Sequence, residues 1–202
     1  ATGLIEFRNI AYLLDALRLL GDPATIDGMK DWLREYLDWA QSSPQGLKES
    51  HALNNHGLFY DVQIAAITAF LGDTDALLDT YVASVARLDG HFEADGRQPH
   101  ELTRTTTKHY CAFNLTGWAS LFVFYARCGF SLDHQQEWRN ILTGVNWFLE
   151  HKGRDWPYPQ ISEFDEDRFV PLEMFRAGLV GERTAEPPDV PLAHKPLFHP
   201  DT

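Results

Sequence analysis

The stretch NNHGLFYDVQIAAITAFLG, residues 54–72, decides the fold. From Gly57 to Leu71 the apolar residues Val62, Ile64, Ala65, Ala66, Ile67, Ala69 and Phe70 fall on nearly every side of a 3.6-residue period. A helix that is apolar all round is one surrounded by protein, so residues 57–71 read as an inner helix, ended by Gly72. At its mouth, Asn54, Asn55, His56, Tyr60 and Asp61 gather two amides, an imidazole, a phenol and a carboxylate. Gly57 reads as the residue that lets the backbone turn tightly there. A simple helix-capping loop accounts for Asn54 to Gly57 as well as a functional cluster does.

Working outward, the same order recurs on both sides. Leu4 to Leu20 carries apolar residues at spacings of three and four and ends at Gly21; Pro23 then opens a helix whose face is Met29, Trp32, Leu33, Tyr36, Leu37 and Ala40. Residues 42–55 read as a polar loop. Beyond Gly72, Asp73-Thr74 restarts an amphipathic helix over 76–88, followed by a long loop over 89–109. Residues 115–128 are again apolar nearly all round, end at Gly129, and precede an amphipathic helix over 133–150. Inner helix, glycine, outer helix and polar loop thus occur three times, which is a repeat of helical hairpins. The expectation is an all-α fold, the hairpins forming part of an (α/α)n toroid or barrel, with a plain helical bundle as the rival. RDWPYPQ (154–160) reads as extended and Asp165 to Leu179 as a last helix. The domain is placed at 1–180, with an irregular Pro-rich C-terminal tail over 181–202.

The 202 residues are 44% hydrophobic and 13% aromatic, enough for one good core. A net charge of −12 argues against nucleic-acid or anionic-membrane binding, both of which want basic surface. No apolar run approaches the roughly 20 residues of a transmembrane helix, and the N-terminus shows no signal peptide. Cys111 and Cys128 are too few for a disulfide framework and read as buried free thiols. The histidine pairs 51/56, 91/100 and 194/199 lack metal-ligand spacing, so neither a metal nor another cofactor is expected.

A second polar stretch, QPHELTRTTTKHYCAFN (98–114), brings Glu101, Arg104, His109 and Tyr110 to the start of the next apolar helix. Two such clusters, meeting at one end of the hairpins, would surround a pocket with an amide, an imidazole, a guanidinium and a phenol. That set suits proton abstraction beside a carboxylate.

NNHGLFYDVQ (54–63), ELTRTTTKHYCAFNL (101–115) and GLIEFRNIAYLLDALRLLGD (3–22) together resemble the alginate-lyase-like polysaccharide lyases, over about residues 3–160. The resemblance implies an α/α-toroid enzyme that cleaves uronate polymers by β-elimination, and therefore an acidic polysaccharide substrate and a secreted or periplasmic location. Family members are typically longer, with further hairpins on the N-terminal side, so an N-terminal part of the same toroid is a candidate partner. Asn55 and Arg104, with His56, are the candidates for neutralising the uronate carboxylate. Tyr110 is the candidate proton handler, joined by His56 where the C5 proton and O4 lie on opposite faces of the ring, as in guluronate. Glu101 is expected to orient Arg104. Asn54, Tyr60, Gln98 and His109 are expected to line the pocket, and Trp156 and Tyr158 to stack on sugar rings or anchor the tail. Two other readings remain: a non-catalytic oligouronate-binding or scaffold protein, and a glycoside hydrolase, for which Asp61, Glu101 and Glu163 are the nearby carboxylates.

Overall fold

The computed structural model describes residues 2–21, 23–131 and 136–181. Helix α1 (Thr2–Glu6) runs through a 3₁₀ turn (Phe7–Asn9) into α2 (Ile10–Leu20), followed by α3 (Pro23–Ser42), α4 (Pro44–Ser50), α5 (Asn55–Leu71), α6 (Thr74–His91), α7 (Thr107–Arg127) and α8 (Gln136–Leu149). A second 3₁₀ turn (Glu166–Phe169) leads into α9 (Val170–Gly181). The architecture is all-α, as the periodicity predicts.

Gly21, Gly72 and Gly129 close the inner helices α2, α5 and α7 with φ of 68°, 75° and 89°. Only glycine enters this left-handed region without a Cβ penalty, so each hairpin turns where the sequence placed it. Helices α2, α5 and α7 pack side by side, while α6 and α8 cover α5 and α7 from outside. Between Asn55 and Thr68 only His56 and Tyr60 escape full burial, which is why α5 needs an apolar surface in every direction. Trp118, Phe124 and Tyr125 of α7 fill the adjoining core, and Tyr125 pairs its hydroxyl with Ser84 Oγ of α6 at 3.0 Å.

Three expectations change. The helix over 4–20 is interrupted at Phe7–Asn9 because the two side chains there serve different neighbours. Phe7 packs on the rings of Trp32 and Tyr36, whereas Arg8 lies over Phe59 and Phe113; the tighter 3₁₀ turn aims them apart. The loop over 42–55 contains α4, capped by Ser43, whose Oγ accepts from Gly46 N at 3.0 Å, with Pro44 in the first turn. Helix α7 begins at Thr107 rather than 115, so His109 and Tyr110 stand on its first turn. The start of the helix expected at 133, and residues 182–202 of the expected tail, lie outside the described residues, while Gly181, the first residue placed in that tail, ends α9.

The segment over 154–160 folds back onto the N-terminus of α7. Thr107 donates to Pro159 O through both its backbone N and Oγ1, and Lys108 N donates to Gln160 Oε1 at 3.0 Å. Among the described residues no helix is long and apolar enough to cross a membrane.

Candidate active site at the N-termini of α5 and α7

Asn54 is the cap of α5, its side-chain oxygen accepting from His56 N at 3.1 Å. The chain just before it is clamped by Arg87 of α6, which donates to Ser50 O at 2.8 Å and Ala52 O at 3.0 Å. The same guanidinium holds Asp61 through two bonds of 2.7 and 3.0 Å. Burial raises the Asp61 pKa and Arg87 works against that rise. Asp61 is thus committed to an internal ion pair and is removed as a hydrolytic carboxylate. Gly57 does not turn the chain either, since it lies inside the helix. A Cβ there would collide with Ala52 O and Arg87 Nη1, so its role is close approach between α5 and the clamp.

His56 points away from the core and is partly exposed. Its Nδ1 lies 2.7 Å from Oε2 of Glu49, whose side chain is almost fully buried. With Nδ1–H donating to the carboxylate, Nε2 is left as the accepting nitrogen. Glu49 sits on the last turn of α4, the helix that was read as loop.

The loop between α6 and α7 reaches the same place. Glu101, 1% exposed, accepts from Asn55 N at 2.7 Å and from Asn55 Nδ2 at 3.0 and 2.9 Å. This one carboxylate ties the N-terminus of α5 to the loop carrying Arg104. Its main partner is therefore Asn55 rather than Arg104, whose Nη1 stands 4.0 Å away. Burial raises the Glu101 pKa, opposed by the Asn55 bonds and by the charges of Arg104 and His56. Asn55 is fully buried, and its Oδ1 has no partner. Arg104 lies over the Tyr110 ring, 3.9 Å from guanidinium carbon to centroid. His109 meets Tyr110 edge-on and stacks along Phe113; burial, and then the charge of Arg168, lowers its pKa.

Asn55, His56, Glu101, Arg104, His109 and Tyr110 therefore come together at one end of the hairpins. Gln98 does not join them. It is fully buried, donating to Cys111 O at 3.3 Å and accepting from Asn114 Nδ2 at 2.9 Å. Tyr60 faces α3, its hydroxyl 3.3 Å from Ala40 O, and burial pushes its pKa up to about 12. Trp156 donates from Nε1 to Thr107 Oγ1 at 2.7 Å and packs on Trp147 and Phe148, with Tyr158 beside it; both rings anchor the returning segment. Cys111 and Cys128 are free, and burial raises both thiol pKa values, that of Cys128 to about 12. Sequence reading missed Glu49 and Arg87. Glu49 had no signal in a stretch read as loop, but Arg87 did. A carboxylate at 61 in a helix buried on all sides demands an internal cation.

Comparison with known proteins comes down on one family. The family model described as alginate lyase matches residues 1–155. A crystal structure of an alginate lyase from Bacteroides ovatus superimposes with a TM-score of 0.80 at 28% identity. The match covers 98% of this chain and 57% of that one, so this chain spans little more than half the length of that relative. Comparison with curated proteins gives no match.

Proposed function

Because the chain belongs to the alginate lyase family, we propose that it is a polysaccharide lyase that cleaves a uronate-containing polymer by β-elimination. The observation that carries this reading is the juxtaposition of two prepared side chains, His56 seated on Glu49 and Tyr110 under Arg104, joined by the Asn55–Glu101 bonds. The reaction removes the C5 proton, forms the C4–C5 double bond and breaks the C4–O4 bond, and the leaving oxygen takes a proton. Charge accumulates on the uronate carboxylate as C5 is deprotonated, so donors aimed at that carboxylate lower the barrier.

Arg104 supplies the charge, and it also lays positive charge over the ring that carries the phenolate form of Tyr110. His56 Nε2 accepts a proton, and Tyr110 returns one to O4. Where the C5 proton and O4 share a face, as in mannuronate or glucuronate, Tyr110 alone serves both steps. Asn55 enters through Glu101. The Glu101 oxygens hold the amide NH₂ at 3.0 and 2.9 Å, which fixes the N-terminus of α5 beside the loop that carries Arg104.

A second reading is a protein that binds oligouronates without turnover, favoured by the Asn55 NH₂ being held by Glu101 rather than free for a substrate carboxylate. Proton NMR on mixing with polymannuronate, polyguluronate and glucuronan separates the two. An olefinic H4 resonance on any polymer establishes elimination. Hydrolysed or unchanged polymer in all three contradicts it. Action on such polymers would place the protein outside the cytoplasm.

A further inference from the structure

Beyond the proton-handling cluster, the rings at the start of α7 continue as a strip toward a second guanidinium. Arg104 covers Tyr110; Tyr110 meets His109 with centroids 5.6 Å apart; His109 stacks along Phe113 at 6.3 Å; Phe113 stacks on Phe59 of α5 at 4.4 Å. At the far end Arg8, from the 3₁₀ turn, lies over Phe113 at 5.2 Å and Phe59 at 6.0 Å. The strip thus carries a guanidinium at each end.

At the Arg8 end the strip meets an open groove of about 220 Å³, whose lining includes Arg8, Asn9, Phe59, Phe113, Thr116 and Ser120. Arg8 is half-buried, and Nη1 donates to Ile5 O at 3.1 Å. Its contacts are this carbonyl and the two rings, and no carboxylate of the described residues pairs with it. In a protein of net charge −12 several arginines pair with an acid of the same chain, as Arg18, Arg34, Arg87 and Arg97 do. A half-buried guanidinium without one keeps its charge and its free N–H groups for an anion from outside, and it favours a planar carboxylate. Phe113, which is partly exposed, offers apolar surface to the C–H groups of a sugar, and Asn9, Thr116 and Ser120 offer polar groups to its hydroxyls.

We propose that this groove is a second carboxylate-reading subsite, in which Arg8 binds a uronate residue of the same polymer chain lying along the strip from the Arg104–Tyr110 end. The identity of the polymer rests on the lyase reading; the carboxylate chemistry of the groove does not. The subsite makes affinity depend on length, because only an oligomer long enough to reach Arg8 gains from it.

The test is calorimetric binding of a ladder of oligomannuronates, disaccharide to hexasaccharide, and of their carboxyl-reduced counterparts. Arg8→Gln and Arg8→Lys are compared with intact Arg8, all in a Tyr110→Phe background to prevent turnover, with helical circular dichroism confirming the fold. The expected result is a loss of about tenfold or more in affinity of the longer acidic oligomers in Arg8→Gln. Arg8→Lys restores part of it, the disaccharide is unaffected, and the carboxyl-reduced oligomers bind all variants alike. Equal affinities in folded Arg8→Gln overturn the subsite, as does the absence of any binding. Polymer turnover is measured separately on the chain with Tyr110 intact. Length-dependent loss without turnover leaves the subsite standing and removes the lyase reading; turnover with the same KM in Arg8→Gln does the reverse.

Discussion

Glu49 is the residue on which the behaviour of His56 turns. It accepts from Nδ1 at 2.7 Å while almost wholly buried, so it holds one tautomer and orients the ring. Glu49→Gln keeps the shape but lets the amide present either an oxygen or an NH₂ to Nδ1, and the second choice puts the proton on the wrong nitrogen. General acid–base catalysis contributes about 10²–10⁴ in rate, and the substitution is expected to forfeit a substantial part of it. The fall should appear in kcat, with a displaced pH profile, on a substrate that uses His56 as base. A KM effect with unchanged kcat would assign Glu49 to binding or folding instead. Arg104→Ala, which removes charge at the developing carboxylate, should lower kcat/KM by about 10²–10³. The sequence made His56, Arg104 and Tyr110 legible because polar residues cluster at the mouths of apolar helices. Their partners were not legible in the same way. The Asn55–Glu101 bond spans 46 positions, and no local pattern reports a contact at that range.

At the scale of the element, α5 is held by its clamp. Gly57 touches Ala52 O and the Arg87 guanidinium, and Arg87 in turn holds Asp61 and two loop carbonyls. Gly57→Ala forces the clamp apart and should destabilise the fold by about 1–3 kcal/mol, despite the better helix propensity of alanine. Arg87→Met leaves Asp61 buried without its cation and should cost about 3–5 kcal/mol. Chemical denaturation measures both, and stability unchanged in Gly57→Ala would show that the loop gives way freely. The helices that the sequence placed well, α5 and α7, are those whose apolar residues leave no polar face and whose ends are left-handed glycines. Helix α4 escaped notice because seven residues, mostly polar, are too few to display a period. The break at Phe7–Asn9 escaped because tertiary contacts of Phe7 and Arg8 set it, and the pattern of spacings in the sequence is continuous there.

For the molecule as a whole, the described fold has an acid-sensitive point at His91. It is 3% exposed, accepts from Trp118 Nε1 at 3.0 Å, and has its pKa lowered to about 3, chiefly by burial and then by the charges of Arg87 and His100. The unfolded chain takes up this proton near pH 6.5 and the folded chain does not. The contribution of His91 to stability is therefore complete above about pH 6.5 and is lost as pH falls toward 3, at about 1.4 kcal/mol per unit. Asp61 and Glu101, whose pKa values are raised by burial, bind protons more readily when folded and act in the opposite sense. Comparison with His91→Gln isolates the term. The variant should lose stability less steeply on the acid side by about one proton, and equal slopes would mean that His91 is not buried neutral. The outward side of α2 exposes Leu13, Leu19 and Leu20, at 49%, 45% and 78%.

The claim at the centre of this account is that Tyr110, beneath Arg104, moves a proton in β-elimination. It is tested most directly by the ultraviolet absorbance of unsaturated uronate, followed on polymannuronate, polyguluronate and glucuronan with the intact chain and with Tyr110→Phe. The account predicts a rising signal on at least one polymer, and a fall of about 10²–10⁴ in its rate in the folded variant. A signal that survives in Tyr110→Phe, or silence from the intact chain on all three polymers, would contradict it.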